Sequence, residues 1–404
     1  MITGASDDDP SGISTYSVAG ASTGLSMLWL ALFTTPMMAV IQGMCARIGM
    51  VTGVGLAANI RKAIPLWIAY PVAAAVVLAN TFNVGADFAG MSAAAHMVVP
   101  AVPMLAWDVF FAVALIVGLI RLSYRRIAEI LKFMAITLLA YIVTAFVVDP
   151  HWPAVLRRLV IPEVHFNKTW ITTAMGVLGT TITPYLFFWQ SALEVEEEKA
   201  LGRSRVAQRR GATDEEIRGA HFDVNIGMVL SNLVMFFIIV TTALTLFAHG
   251  KTNIASAQDA AQALRPLAGD AAYLLFTLGM VGTGLLAIPA LAGSSAYVAA
   301  EMLSFPRAGL NAAPRRAPRF YAVLGAGLLA GMVMPFLNVN PITALYWSAV
   351  LNGIVSVPLV FIVIRIANDK KTMGKWRNSF LANAWSWLTF AVMGIAAVAL
   401  FAFP

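Results

Sequence analysis

The sequence has few charged residues and almost no cysteine. Only 12% of its 404 residues are Asp, Glu, Lys or Arg, and 59% are hydrophobic, whereas about 25% of a typical soluble domain is charged. This composition excludes an ordinary soluble protein. The single cysteine, Cys45, excludes an internal disulfide and a cysteine-based metal cluster. The histidines show neither HxxxH nor HExxH spacing, so no zinc site is expected.

Long apolar segments take up most of the chain. Eleven of them approach the ~20 residues that a helix needs to cross a bilayer, which predicts an all-α integral membrane protein. They lie at about residues 2–22, 27–46, 65–90, 104–121, 127–148, 170–191, 224–248, 271–300, 320–337, 342–366 and 380–402. No basic segment precedes the first of them and carboxylates interrupt it, so we expect no cleavable signal peptide.

The basic residues are concentrated in alternate connections between these segments. If the N-terminus is cytoplasmic, all but five of the 27 basic residues lie on the cytoplasmic side. The exceptions are Arg157, Arg158, Lys168, Lys251 and Arg265. This positive-inside bias predicts a cytoplasmic N-terminus and an external C-terminus. Because the basic residues set membrane orientation, the net charge of +7 does not indicate a nucleic-acid partner.

Proline and small polar residues interrupt two of the apolar segments. The first contains GASDDDPSG at residues 4–12, and the sixth contains GVLGTTITPYLFFWQ at residues 176–190. Proline cannot donate a backbone hydrogen bond and clashes with the preceding turn. Inside a membrane such a break is tolerated only where the loosened backbone lines a cavity. Two broken helices in corresponding places therefore indicate the substrate site of a secondary transporter.

Oxygen atoms dominate both breaks. Four groups supply them: backbone carbonyls freed near Ser6 and Thr180, the carboxylate of Asp9 and the hydroxyl of Thr183. We expect these groups to form a cage that suits a hard cation. Asp9 is the principal candidate because an intramembrane carboxylate is costly unless it has a function. For Asp7 and Asp8 two interpretations remain: they belong to the ion pathway, or they cap a helix at the membrane surface.

The two interruptions resemble the signatures of a known family. Asp9-Pro10-Ser11-Gly12 resembles the DPGN signature on the first helix of the Nramp family of divalent metal transporters. Thr183-Pro184-Tyr185 resembles the MPH signature on the sixth helix, and residues 28–53 look like the second helix. The resemblance implies a LeuT-type fold with broken helices 1 and 6. Its two inverted five-helix repeats would cover about residues 1–150 and 168–366, followed by an extra helix at about 380–402.

The sequence departs from the family pattern at the metal ligands. The resemblance implies that aspartate, asparagine and methionine side chains bind the metal in the family. Here only Asp9 remains, with Gly12 in place of the asparagine and Thr183 in place of the methionine. Because a thioether favours soft transition metals, its loss predicts weaker selectivity against hard ions such as Mg²⁺. Having fewer direct ligands also suits Mg²⁺, which retains several of its waters.

The groups that the resemblance associates with proton transport are replaced as well. An acidic pair on the third helix and a histidine after the proline of the sixth correspond here to Asn80, Asn83 and Tyr185. None of these titrates near neutral pH, which predicts transport without strict proton coupling. Asp87 is either a substitute proton acceptor or a carboxylate that lines the cavity. Asn352 is either a neutral oxygen ligand in the pathway or part of a helix–helix hydrogen bond.

The longest polar segment covers residues 194–222, within a single transmembrane domain of residues 1–404. An acidic run followed by a basic run is typical of a solvated cytoplasmic helix and linker. We therefore expect the crowded carboxylates of Glu194, Glu196, Glu197 and Glu198 to face water. A metal-sensing or regulatory role for them is the alternative.

These observations predict a secondary transporter of divalent cations, Mg²⁺ and/or Mn²⁺/Fe²⁺, in a cell membrane, namely the inner membrane of a bacterium. We expect a monomer whose partners are the ion and the lipid bilayer, with no cofactor. The alternative is a transporter of the same fold for an amino acid, an organic cation or an inorganic anion. The carboxylate of Asp9 favours cations, whereas helix N-termini alone would favour anions. An enzyme is not expected, because the apolar segments contain no evident Ser/His or Cys/His pair.

Overall fold

The structure is a computed structural model that describes residues 9–121, 136–305, 309–310, 312–337 and 339–402. Within these ranges the chain is helical and has no strand. The longer helices are α1 (Pro10–Thr23), α2 (Trp29–Thr52), α3 (Leu56–Ala63), α4 (Leu66–Val98), α5 (Met104–Arg121), α6 (Leu139–Val147), α7 (Trp152–Val160), α8 (Lys168–Thr181), α9 (Pro184–Ala200), α10 (Asp214–Thr245), α11 (Ala272–Met302), α12 (Pro318–Gly331), α13 (Pro341–Asn368) and α14 (Phe380–Ala402).

All eleven predicted spans contain helix. Seven segments of the described ranges are long and apolar enough to cross a membrane, and they correspond to spans 2, 3, 6, 7, 8, 10 and 11. Shorter apolar helices cover the fourth and fifth spans, at Met104–Leu119 and Ile136–Val147. The first and ninth spans hold the 14-residue helices α1 and α12. Residues 1–8 of the first span and 127–135 of the fifth lie outside the described residues.

The predicted break in the sixth span is present, and at both predicted breaks a proline begins the helix that follows. Asp9 is extended, with φ −87° and ψ 169°, and α1 starts at Pro10. In the sixth span α8 ends at Thr181, and the extended residue Thr183 (φ −94°, ψ 138°) precedes Pro184 at the start of α9. Proline suits the first helical position because its missing N–H is not needed there and its φ is already helical.

Close contacts between glycines bring the broken helices against their neighbours. A Cβ added to Gly179 of α8 would lie 2.0 Å from the carbonyl oxygen of Ala349 on α13, and one added to Gly353 of α13 would lie 2.9 Å from the carbonyl oxygen of Met175. The backbones of α8 and α13 therefore touch, as small residues permit in membrane bundles. Helix α1 packs against α4, α8, α10 and α13, so its N-terminus lies inside the bundle.

The polar segment at residues 194–222 is shorter and less solvated than predicted. Helix α9 continues to Ala200 and α10 begins at Asp214, which leaves residues 201–213 as the connection. The interpretation that the acidic run faces water is wrong for Glu194, Glu196 and Glu198, which are buried, whereas Glu197 is exposed.

Each buried carboxylate of this run has a polar partner, which explains how it tolerates burial. Gln190 donates to Glu194 over 2.8 Å, Lys199 donates to Glu196 over 2.7 Å, and Arg203 donates to Glu198 over 2.6 Å. The same Arg203 also binds Glu216 of α10 over 3.1 Å. Arg203 thus joins the end of α9 to the beginning of α10.

Candidate functional site

Asp9 lies at the start of α1 and is 2% exposed. Its Oδ1 accepts hydrogen bonds from the backbone N–H of Gly12 (2.7 Å) and from the hydroxyl of Ser11 (2.8 Å). Its Oδ2 accepts a hydrogen bond from the side-chain amide of Asn83 (3.0 Å). The carboxylate therefore caps α1 with one oxygen, while the other oxygen faces α4.

Helix α4 presents a row of polar residues toward Asp9. Asn80, Asn83 and Asp87 follow one another at intervals of three and four residues, so they share one face of the helix. All three are fully buried. Asn80 donates to the hydroxyl of Ser295 over 3.1 Å, and its carbonyl oxygen has no hydrogen-bond partner.

Four buried oxygens on this face, counting that of Asn80, have no close hydrogen-bond partner. The others are the carbonyl oxygen of Asn83 and both carboxylate oxygens of Asp87, with which the backbone N–H of Ser11 interacts only weakly. The backbone N–H of Ser11 and the charge of Asp9 both act on Asp87, so Asp87 lies beside the start of α1. Because buried oxygen atoms are normally hydrogen-bonded, a group of free ones indicates a place where a ligand supplies the missing contacts.

The break between α8 and α9 adds two more free oxygens. Thr180 and Thr183 are buried, and neither hydroxyl has a hydrogen-bond partner. Thr183 occupies the N-cap position of α9 but its side chain makes no capping hydrogen bond, although threonine commonly makes one there. Its hydroxyl is therefore available to another group.

Gly12 shows that Thr180 is close to Asp9. A Cβ added to Gly12 would lie 3.1 Å from the hydroxyl oxygen of Thr180 and 3.3 Å from Oδ1 of Asp9. The two breaks, which are far apart in the sequence, thus come together around this glycine. Any residue larger than glycine at position 12 would intrude between the carboxylate and the hydroxyl.

Two buried carboxylates of this region must be neutralised, either by a bound cation or by protonation. Asp9 and Asp87 are both buried, and neither forms an ion pair with a described Lys, Arg or His residue. A buried ionised carboxylate without a counter-charge is strongly unfavourable. A bound cation would supply that charge and would also satisfy the free oxygens.

A metal site of the usual clustered type is absent from the described residues, where no group of three or more His, Cys, Asp or Glu side chains comes together. Neutral oxygens would have to complete the coordination of an ion at Asp9 and Asp87. Such a donor set, made of carboxylate, carbonyl and hydroxyl oxygens, suits hard divalent cations.

Among the other predicted site residues, three lie outside the described ranges and two are buried on α9 and α13. Ser6, Asp7 and Asp8 lie outside the described residues. Tyr185 is buried in the first turn of α9, where its carbonyl oxygen accepts a hydrogen bond from Ser294 over 3.0 Å. Asn352 is buried next to the contact between α8 and α13, and its carbonyl oxygen is unpartnered.

Three residues near the breaks escaped the sequence analysis. Ser11 orients Asp9, and Ser356 donates to the carbonyl oxygen of Ile182 in the second break over 2.5 Å. Met91 is buried on α4, four residues beyond Asp87, and contacts Gly284 of α11, which also faces Pro10. Ser356 and Met91 lie within long apolar helices and carry no sequence signal, so only the packing of the helices identifies them, whereas Ser11 belongs to the signature that begins at Asp9.

Comparison with known proteins gives consistent results across the whole chain. The family model described as natural resistance-associated macrophage protein-like (Nramp) matches residues 1–402. A divalent metal cation transporter MntH of Aeromonas hydrophila is 28% identical over 98% of this chain and 92% of its own length. The MntH of Ralstonia nicotianae is 27% identical over 96% of this chain and 86% of its own length. These relatives are transporters by name, which confirms the prediction that the chain is not an enzyme.

Solved structures show the same fold. A manganese transporter of Eremococcus coleocola superposes with a TM-score of 0.75 at 17% identity, covering 98% of this chain and 84% of its own. Mhp1, a nucleobase-cation-symport-1 family transporter, superposes with a TM-score of 0.53 at 15% identity, covering 99% and 90%. The predicted all-α LeuT-type fold is therefore confirmed, as is the multi-pass membrane character of the chain. The match of the family model over residues 1–402, together with the signatures around Asp9 and Thr183, establishes that this chain belongs to the Nramp family.

Proposed function

We propose that this Nramp protein is a secondary transporter that carries divalent metal cations across a membrane. The observation that carries the proposal is the pair of buried carboxylates, Asp9 and Asp87, which have no described basic partner. The names of the MntH relatives support the same class of substrate. In related folds the substrate binds between two broken helices near the middle of the membrane.

The proposed ion site lies between the breaks of α1 and α8–α9. Asp9 is its charged ligand, and the hydroxyl of Thr183 and oxygens of Thr180 and Ser6 complete the cage. The free oxygens of Asp87 and Asn83 support a wider pathway beside it. The other proposed members of that pathway are Asp8, Gly12, Asn80, Tyr185 and Asn352.

The donor set favours transport of hard ions together with softer ones. Thr183 supplies oxygen where the family pattern has a methionine sulfur, and hydroxyl and carboxylate oxygens suit Mg²⁺ as well as Mn²⁺ and Fe²⁺. We therefore propose that Mg²⁺ is a substrate. This part of the proposal depends on Thr183 facing the ion, which its unused hydroxyl supports.

We further propose that transport is not strictly coupled to protons. Asn80 and Asn83 occupy the face of α4 nearest the site, and amides do not exchange protons near neutral pH. The ion would then move down its own gradient and the membrane potential. The proposed unit is a monomer with a cytoplasmic N-terminus and an external C-terminus, as the distribution of basic residues favours.

Uptake into proteoliposomes tests the proposal. The purified chain is reconstituted, and Mg²⁺, Mn²⁺, Fe²⁺ and Ca²⁺ are supplied with and without an imposed pH gradient, at clamped potential. We expect saturable uptake of several divalent ions that the pH gradient leaves unchanged. Uptake of an amino acid, organic cation or anion in place of every metal ion would refute the proposed substrate class.

A further inference from the structure

A large cavity lies away from the proposed ion site, at the end of the bundle where α2 and α13 end. Its volume is about 960 Å³, and its walls come from the end of α2, from α3, from α13 and from α14. The residue Arg210 from the connection before α10, and the short helix Lys370–Met373 after α13, close it on the polar side. Six parts of the chain thus line one pocket.

Four basic side chains line this cavity. Lys62, Arg210, Arg365 and Lys371 are exposed, and none of them forms a salt bridge with a described carboxylate. They come from four different elements, so the fold collects charge that is dispersed in the sequence. The positive charge of this group has no compensation from a described ion pair.

The one acidic residue in the wall is already engaged. Asp369 caps the short helix Lys370–Met373, accepting hydrogen bonds from the hydroxyl of Thr372 (2.5 Å) and from the backbone N–H groups of Lys371 and Thr372. The hydrogen bond from the Thr372 hydroxyl is the main cause that lowers the pKa of Asp369. Its carboxylate is therefore directed at the helix end, and the cavity keeps a net positive charge.

Two aromatic side chains also line the cavity, and both are partly exposed. Phe361 on α13 and Trp387 on α14 are 37% and 43% exposed, and their ring centroids lie 6.0 Å apart. The guanidinium of Arg365 lies 6.0 Å from the centre of the Phe361 ring, one helical turn away. The cavity therefore changes from basic to apolar along the helix axis, as the membrane interface does.

We propose that this cavity binds an anionic phospholipid, with the phosphate between the basic side chains and an acyl chain along Phe361 and Trp387. Basic pockets between transmembrane helices are suited to anionic headgroups, and Arg binds phosphate through a planar pair of donors. A free phosphate ion would use the basic wall alone. The exposed aromatic rings of Phe361 and Trp387 beside the basic residues are the observation that favours a lipid over a soluble anion.

Native mass spectrometry of the full-length chain in detergent tests this site without involving ion transport. Phosphatidylglycerol and phosphatidylcholine of the same acyl chains are titrated separately in the absence of divalent ions, and the lipid-bound fraction is measured. We expect phosphatidylglycerol to bind more tightly. The double variant Lys62→Gln/Arg365→Gln should bind it about 30-fold more weakly, because each basic group near an anionic lipid contributes about fivefold.

A matched double variant controls for net charge. Arg315→Gln/Arg319→Gln removes two exposed basic residues that do not line the cavity, and it should bind phosphatidylglycerol within twofold of the unmodified chain. Equal weakening in both double variants would show general charge attraction and overturn the proposal. Inorganic phosphate that displaces the lipid at equal concentration would assign the cavity to a soluble anion, which also overturns it. Gel filtration of both variants establishes that they are folded.

Discussion

The side-chain amide of Asn83 donates a 3.0 Å hydrogen bond to Oδ2 of Asp9, across a separation of 74 residues. Because the amide nitrogen is engaged with the carboxylate, the carbonyl oxygen of Asn83 is turned away from it and has no partner. One hydrogen bond therefore fixes the orientation of two oxygen-bearing groups, one charged and one neutral. The predictions below concern what this arrangement binds and how the surrounding helices support it.

Replacing Asp9 by asparagine should abolish most divalent-ion binding. Mutating residues that merely orient a metal ligand weakens affinity by about 10- to 100-fold, so we expect loss of the charged ligand to weaken it by at least about 100-fold. Isothermal titration calorimetry of Asp9→Asn with Mn²⁺ and Mg²⁺ measures this change. The matched control is Asp270→Asn, which removes a carboxylate that is 94% exposed in the short 3₁₀ helix Gly269–Ala271 and should bind normally. Unchanged binding in Asp9→Asn would move the ion site away from α1.

Introducing a thioether at position 183 should change ion selectivity. Sulfur favours soft ions and displaces a hydroxyl or water useful to hard ones, so Thr183→Met should prefer Mn²⁺, Fe²⁺ and Cd²⁺ over Mg²⁺ more strongly than the unmodified chain does. Competition of each ion against Mn²⁺ uptake in proteoliposomes measures the preference. Thr183→Ser retains the hydroxyl and should keep the original order. Identical competition profiles for Met and Thr at this position would mean that residue 183 does not contact the ion.

An inward proton gradient should not drive transport. At clamped potential we expect metal uptake to be independent of the pH gradient, and we expect no acidification of the vesicle interior when metal is added. The membrane potential alone should accelerate uptake, since it contributes about 2.3 kcal/mol per elementary charge per 100 mV. Metal-dependent acidification that disappears in Asp87→Asn would contradict this prediction and identify Asp87 as a proton carrier.

Substituting Gly179 by alanine should destabilise the bundle. The new Cβ would lie 2.0 Å from the carbonyl oxygen of Ala349, and such overpacking costs about 1 to 3 kcal/mol. The control is Gly327→Ala, because a Cβ at that position of α12 has no atom within 4 Å and alanine favours helix by up to about 1 kcal/mol. Thermal unfolding in detergent should therefore show a lower melting temperature for Gly179→Ala and a higher one for Gly327→Ala than for the unmodified chain. A lower melting temperature for Gly327→Ala than for Gly179→Ala would disprove the role assigned to the contact.

The sequence predicts the breaks well because their causes are local. Pro10 and Pro184 each follow small polar residues, and a helix begins at both. Proline alone does not cause such a break, because the helices continue through Pro36, Pro71, Pro289 and Pro358. The apolar spans can also be predicted from local sequence, because the thickness of the bilayer sets the length of apolar sequence that each one needs. Asp9 and Thr183 were accessible to sequence reasoning for the same reason, as they directly precede the two prolines.

Contacts between distant residues could not be predicted in this way. Nothing in the sequence around Asn83 indicates that its amide reaches Asp9, and nothing around Ser356 indicates that its hydroxyl reaches Ile182. The burial of Glu196 and Glu198 has a different origin, because their partners Lys199 and Arg203 lie only three and five residues away. Crowded carboxylates are typical of a solvated surface, and only the positions of Lys199 and Arg203 show that each carboxylate has a partner.

Helix α9 joins two regions that have been described separately. Thr183 precedes its first residue at the second break, and Arg203, just beyond its last turn, holds Glu198 and Glu216 together. A helix of 17 residues is about 25 Å long and, if it stays rigid, a tilt of about 5° at one end displaces the other by about 2 Å. Such a displacement at the far end of α9 would be enough to separate Arg203 from Glu216, which belongs to α10.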